Sequence, residues 1–142
     1  MFYQNILKPL LFLVNPELAH YIVANGLRLI MKIPGVSLIF NWVYGFKHQE
    51  LTREVFGLRF ENPVGLAAGF DKNAYSVDDY ANLGFGFIEV GTVTPKRQLG
   101  NPKPRIFRLE KDQALINRLG FNNHGSEIIF KRISENQPDG FL

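Results

Sequence analysis

The residues best placed to do chemistry lie between Asn62 and Lys72, in the run Asn-Pro-Val-Gly-Leu-Ala-Ala-Gly-Phe-Asp-Lys. Val64 to Ala68 is apolar and of strand length, with Pro63 suited to a strand's first residue, and it predicts one buried strand. The run breaks at Gly69 and ends in a charged pair, Asp71 and Lys72. Ala67, Ala68 and Gly69 leave the backbone bare, so a flat ring or a phosphate could approach its N–H groups closely. A lysine just past the carboxyl end of a strand stands where α/β proteins collect ligands. The same residues fit a strand ending in a solvated turn equally well. The spacing of Gly65, Gly69 and Lys72 excludes a Walker loop, which needs four residues between its glycines and Lys-Ser/Thr directly after the second.

Two later groups carry polar chemistry. Between Gly91 and Arg108 there are five basic residues, Lys96, Arg97, Lys103, Arg105 and Arg108, and no acid. A solvated loop is the usual meaning of such a run, and an anion or a ligand carboxylate is the alternative. Asn117-Arg118-Leu119-Gly120-Phe121-Asn122-Asn123 packs three amides around a glycine turn. Amides both donate and accept, so a buried trio suits a planar polar ligand, although asparagine is also an ordinary turn residue. His20, His48 and His124 stand far apart and the chain has no cysteine, so no metal site, disulfide or thiolate chemistry is expected. A net charge of +3 with scattered basic residues gives no reason to expect a nucleic-acid partner.

The elements that must position these groups follow from pattern. At 142 residues the chain is one domain's worth and long enough to bury a core, and 46% hydrophobic residues with 13% aromatic argue against disorder. Residues 1–46 hold only four charges, Lys8, Glu17, Arg28 and Lys32. A short helix over about Tyr3 to Leu13 precedes a longer one begun by Asn15-Pro16-Glu17, with a capping side chain, a proline at the first position and an acid in the first turn. Pro34 and Gly35 stop it, and Val36 to Tyr44 forms a third piece. The longest uncharged stretch, Ile33 to Phe46, has 14 residues. A transmembrane helix needs roughly 20. No signal or transit peptide is recognisable, which favours a bacterial chain. Such helices usually pack on their own domain, yet Leu10 to Leu13 with Ile39, Phe40, Trp42, Val43 and Tyr44 also suits an interfacial surface. By itself His20 reads as structural.

Residues 51–61 predict a hairpin turning through Gly57. Ser76 to Asp79 reads as a capping box for a helix through Leu83, stopped by Gly84, and Phe85 to Val90 as the next strand. Strand, helix, strand implies a parallel βαβ unit with Gly69, Lys72 and Thr92 on one edge. Thr94 to Pro104 is a loop, Arg105 to Leu109 and Ala114 to Arg118 are strand-like, and a helix spans about Gly125 to Asn136. Pro138-Asp139-Gly140 begins a turn, and Phe141-Leu142 reads as the start of a strand, as though the chain were cut there.

Laid out this way, the sequence resembles the N-terminal part of a class 2 dihydroorotate dehydrogenase, the quinone-linked flavoenzyme of pyrimidine biosynthesis. Three motifs carry the resemblance, NPVGLAAGFDKN (62–73), GFGFIEVGTVTPKRQLGNPKPRIFRL (84–109) and LINRLGFNNHG (115–125). The apolar head with NPELAH (15–20) marks class 2. The resemblance implies an α/β fold, the N-terminal part of a (β/α)₈ barrel over residues 47–142. A small helical, membrane-associated subdomain that forms the quinone tunnel would precede it over residues 1–46. It implies FMN at Ala68, Gly69, Phe70, Asp71, Lys72 and Thr92, with dihydroorotate or orotate at Lys72 and at Asn117, Arg118, Leu119, Gly120 and Phe121. His20 and Arg108 match positions lining the tunnel for ubiquinone or menaquinone. The implied enzyme is a monomer, peripheral on the cytoplasmic side of a bacterial membrane. Its catalytic serine lies on a later strand, so none of the catalytic residues is expected within these 142 residues, which alone should be inactive. A soluble fumarate- or NAD-linked relative and a non-catalytic membrane-binding module are the alternatives.

Overall fold

In the computed structural model, which describes residues 2–135, a π-helical stretch, Tyr3–Leu7, runs into helix α1 (Lys8–Phe12). Helix α2 (Pro16–Met31) starts as its sequence dictates. The Asn15 side-chain oxygen accepts from the Glu17 N–H at 2.9 Å, and Pro16 takes the position whose N–H has no helical partner to lose. Helix α3 (Val36–Tyr44) follows a break that turns the chain by 112°. No single described helix is long and apolar enough to cross a membrane.

The strands form three two-stranded sheets. β1 (Arg53–Val55) and β2 (Leu58–Phe60) make an antiparallel hairpin after a 3₁₀ turn, Gln49–Leu51. Its turn residues Phe56 and Gly57 both have positive φ (55° and 76°), the conformation a two-residue hairpin loop needs. β3 (Gly65–Leu66) pairs in parallel with β4 (Phe87–Ile88), Gly65 opposite Phe87 and Leu66 opposite Ile88. Helix α4 (Val77–Ala81) makes the crossover, which completes the expected βαβ unit. β5 (Ile106–Leu109) pairs antiparallel with β6 (Ala114–Asn117), and α5 (Ser126–Glu135) follows. Asn136, the Pro138-Asp139-Gly140 turn and the strand start at Phe141-Leu142 lie outside the described residues.

Several expectations need correction. The strands expected over Val64–Ala68 and Phe85–Val90 shrink to two residues each, and the first, expected to be buried, is half-buried like the second. Among the described residues each pairs with one neighbour, so each keeps one bare edge. Helix α4 ends at Ala81, not Leu83, with Asn82 as its cap. The capping box does not close in the expected way. Ser76 makes no side-chain cap bond, and its backbone N–H goes to the Asp71 carboxylate at 2.8 Å. Asp71 and Ser76 are both buried, so that pairing satisfies two groups that water cannot reach.

The core is smaller and more polar than the composition suggests. Among the described residues the buried apolar side chains are Ala19, Met31, Ala74, Tyr80 and Ile129, beside buried Glu17, Asn62, Asp71, Ser76, Arg105 and Asn123. Helix α2 touches α1, α3, α4 and β5, and it is joined to the strand region by charge as well as packing. Glu17 receives Arg105 at 2.7 Å (Nη2 to Oε1) and 3.1 Å (Nε to Oε2), with Lys103 at 3.3 Å on its exposed side.

Candidate functional site

The site is built where β3, β4 and β6 end. After Leu66 the chain runs through Ala67, Ala68 and Gly69, all exposed. Gly69 has φ +105°, and a Cβ placed on it would meet nothing within 4 Å, so one face of this backbone is open. The Ala68 N–H donates to a Glu89 carboxylate oxygen at 3.3 Å, which ties this segment to the residue after β4. Lys72 Nζ donates to Asn122 Oδ1 at 2.9 Å, across 50 positions of sequence.

These segments line an open cavity of about 360 Å³. Ala68, Gly69 and Lys72 line it from β3, Gly91 and Thr92 from β4, and Asn117, Arg118, Leu119, Gly120 and Phe121 from β6. A bare floor, the two cations Lys72 and Arg118 and an amide bordering a common space suit a flat, anionic, amide-bearing ring. Burial, helped by the nearby Arg105 charge and opposed by Glu17, holds the Lys72 ammonium below the usual lysine range.

The walls are fixed by a hub, the last amide of the expected trio. Asn123, 2% exposed, receives the N–H groups of Gly125 (2.9 Å) and Thr94 (3.3 Å) on its side-chain oxygen. Its amide nitrogen donates to Thr94 Oγ1 (2.8 Å) and the Phe121 carbonyl (2.6 Å), and its backbone pairs with Gln98 in both directions at 3.0 Å. The expected buried amide trio therefore divides by role. Asn123 is buried and structural, Asn122 holds Lys72, and Asn117 is exposed at the cavity. Glu89, Asn122 and Gly91 also belong to the site. An acid ending a strand and an asparagine inside the quoted motif were visible signals for the first two.

Ala68, Gly69, Lys72, Thr92 and Asn117 to Phe121 thus come together from the sequence reading. Phe70 and Asp71 do not line the cavity. The Phe70 ring stands edge-on to His20 (4.8 Å between centroids) and to Tyr80 (5.5 Å), while Asp71 holds Ser76. His20 therefore reaches the cavity loop through the Phe70 ring. Desolvation lowers its pKa, and the Asp71 and Glu17 charges oppose that shift. Arg108 lies between head and strands. It donates to the carbonyls of Val14 (2.7 Å), Leu11 (3.1 Å) and Phe12 (3.4 Å) and lies 4.4 Å from the Phe12 ring centre.

Known proteins are similar to this sequence. The dihydroorotate dehydrogenase family model matches residues 50–141. A dihydroorotate dehydrogenase (quinone) of Christiangramia forsetii is 53% identical over 135 residues, covering 95% of this chain and 40% of its own. That of Methylococcus capsulatus is 46% identical over 145 residues, covering 100% of this chain and 40% of its own. Two crystal structures of the DHODH of Eimeria tenella, one with ferulenol and one ligand-free, superpose with a TM-score of 0.63 at 46% identity. They cover 84% of this chain and 30% and 31% of their own. The chain thus spans about two fifths of the length of these curated relatives.

Proposed function

The chain belongs to the dihydroorotate dehydrogenase family, in its quinone-dependent class, and on that premise we propose that it supplies the first ligand-binding loops of an enzyme that oxidises dihydroorotate to orotate. The observation that carries this reading is the single cavity shared by Ala68, Gly69, Lys72, Thr92 and Asn117 to Phe121. FMN fits the residues present: the open face of Gly69 and the small side chains beside it leave room for a flat ring, and the Thr92 hydroxyl offers it a polar contact. Held there, FMN would supply two-electron redox chemistry between substrate C6 and a quinone, ubiquinone or menaquinone.

The chain's own side chains hold and orient. The Lys72 ammonium offsets the carboxylate of dihydroorotate, and the Asn117 amide pairs with the amide edge of the pyrimidine. The Asn117 to Phe121 loop forms the wall against which the substrate ring is set. The base that removes the C5 proton is assigned, by the family resemblance, to a serine of a later barrel strand, and none of the residues lining this cavity is a serine. Residues 1–46 form a helical subdomain that meets the cytoplasmic face of a bacterial membrane and admits the quinone, with His20 and Arg108 along its path. What supports that placement is apolar surface with few charges: Leu38 is 74% exposed and Trp42 84%. The full-length enzyme acts as a monomer over a (β/α)₈ barrel, to which the β3–α4–β4 unit contributes its first turn.

A dihydroorotate–quinone oxidoreductase assay on the full-length protein tests this reading. Turnover dependent on both substrates is expected, and reduction of fumarate or NAD in place of the quinone would move the protein to another class.

A further inference from the structure

Asn101 grips the loop that carries Asn117 to Phe121 from outside the cavity, and is held in turn, through Arg105, by the helical head. Asn101 donates its side-chain amide to the Arg118 carbonyl at 2.7 Å and its backbone N–H to the Leu119 carbonyl at 3.0 Å. Two donors on consecutive carbonyls fix the plane of the peptide between them. Asn101 also fills the space beside Gly120. A Cβ on that glycine would lie 3.1 Å from the Asn101 amide nitrogen, at a φ of +58° that disfavours any side chain.

Behind Asn101 stands Arg105, 6% exposed. Its Nη1 donates to the carbonyls of Leu99 (2.9 Å) and Asn101 (3.1 Å), and its remaining donors meet Glu17 of α2. A guanidinium offers five donors in a fixed fork, so one side chain can hold the loop and the helix at once. None of Glu17, Arg105 and Asn101 lines the cavity.

We propose that Asn101 is a positioning residue for the substrate: it sets the loop 117–121 through the Arg118 and Leu119 carbonyls, and the Glu17–Arg105 pair locks it to helix α2. This rests on the reading of that loop as the dihydroorotate-binding loop. Asn101 touches no substrate, so its effect is on the geometry of the loop, which both dihydroorotate and orotate contact.

The test uses the full-length holoenzyme, with Asn101→Ala and the isosteric Asn101→Asp, which removes the amide donor but keeps the bulk beside Gly120. KM for dihydroorotate and the calorimetric Kd for orotate are each expected to rise about 10-fold, the effect of one lost hydrogen bond on a binding loop. KM for a soluble quinone and the flavin content should stay at the parent values. Glu17→Gln, which weakens the lock without touching Asn101, should shift the same two constants in the same direction by less. Parent values of KM and Kd in Asn101→Asp would overturn the proposal. So would an equal rise in both substrates' KM with loss of flavin, the mark of a general structural role. A parent enzyme that neither oxidises dihydroorotate nor binds orotate would instead sink the reading of the loop, and this proposal with it.

Discussion

In the proposed function, Lys72 is the residue on which substrate binding turns. Its ammonium is partly buried and held below the ordinary value of 10.5, so it gives up its proton at a lower pH than a solvated lysine. Affinity for an anionic substrate requires the charged form, so affinity for orotate should fall on the alkaline side before 10.5 is reached. Calorimetric titration against pH checks this, and an affinity flat to that pH would contradict it. Lys72→Ala should lower kcat/KM for dihydroorotate by roughly 10²-fold, as removal of one partner of a desolvated charge pair does. Two acid limbs of stability are separable. Desolvation lowers the pKa of His20, so unfolding takes up a proton there and stability begins to fall as pH drops below 6.5. The Glu17 carboxyl is lowered chiefly by its hydrogen bonds from Arg105, so its contribution is complete above 4.5 and is lost as pH falls through the folded value. Glu17→Gln should remove the lower limb and cost about 3 kcal/mol at neutral pH, read by urea unfolding, because it leaves Arg105 buried without its counter-charge. Lys72 and Gly69 were legible in the sequence because their types at a strand's end imply a ligand edge. The role of Arg105 was not: one of five loop cations carries no local mark of an acid 88 positions away.

At the scale of elements, helix starts were the most legible feature. Asn15, Pro16 and Glu17 begin α2 through groups adjacent in sequence, and local chemistry is what a sequence displays. The Ser76 cap was misread because its N–H partner, Asp71, comes from the preceding loop rather than the following turn. Strand ends were misread for a similar reason. Apolar runs mark where strands can form, whereas neighbours decide how much of the run pairs, and here two residues of each do. The end of α1 also depends on a distant group. Arg108 covers the carbonyls of Leu11, Phe12 and Val14, at the negative end of the helix dipole. Arg108→Ala should destabilise this corner by about 1–2 kcal/mol and speed amide hydrogen exchange over residues 8–14 while leaving α5 unchanged. Arg108→Lys should restore little, since a single ammonium cannot span three carbonyls. Unchanged exchange in that stretch would show that α1 ends without its help.

At the scale of the whole molecule, the head and the cavity are mechanically joined, through Glu17 and Arg105 on one side and through His20 and Phe70 on the other. That arrangement suits the proposed function, in which the second substrate would arrive from lipid and the first from water. The exposed apolar residues of α3, Leu38, Ile39, Trp42 and Val43, should seat on a bilayer. Full-length protein is therefore expected to co-sediment with vesicles and to lose that binding when residues 1–46 are removed; equal binding by both forms would contradict the membrane role. The (β/α)₈ barrel was expected from the family resemblance and not from residue pattern, since the pattern alone marks only one βαβ unit, and the relatives matched extend far beyond the shared segment. The most direct test of the assignment is an anaerobic titration of the purified full-length protein with dihydroorotate, followed by quinone, with the flavin absorbance recorded throughout. A yellow protein that bleaches with dihydroorotate and regains its colour with quinone is the expected result. A protein without flavin, or one whose flavin does not respond to dihydroorotate, would contradict it.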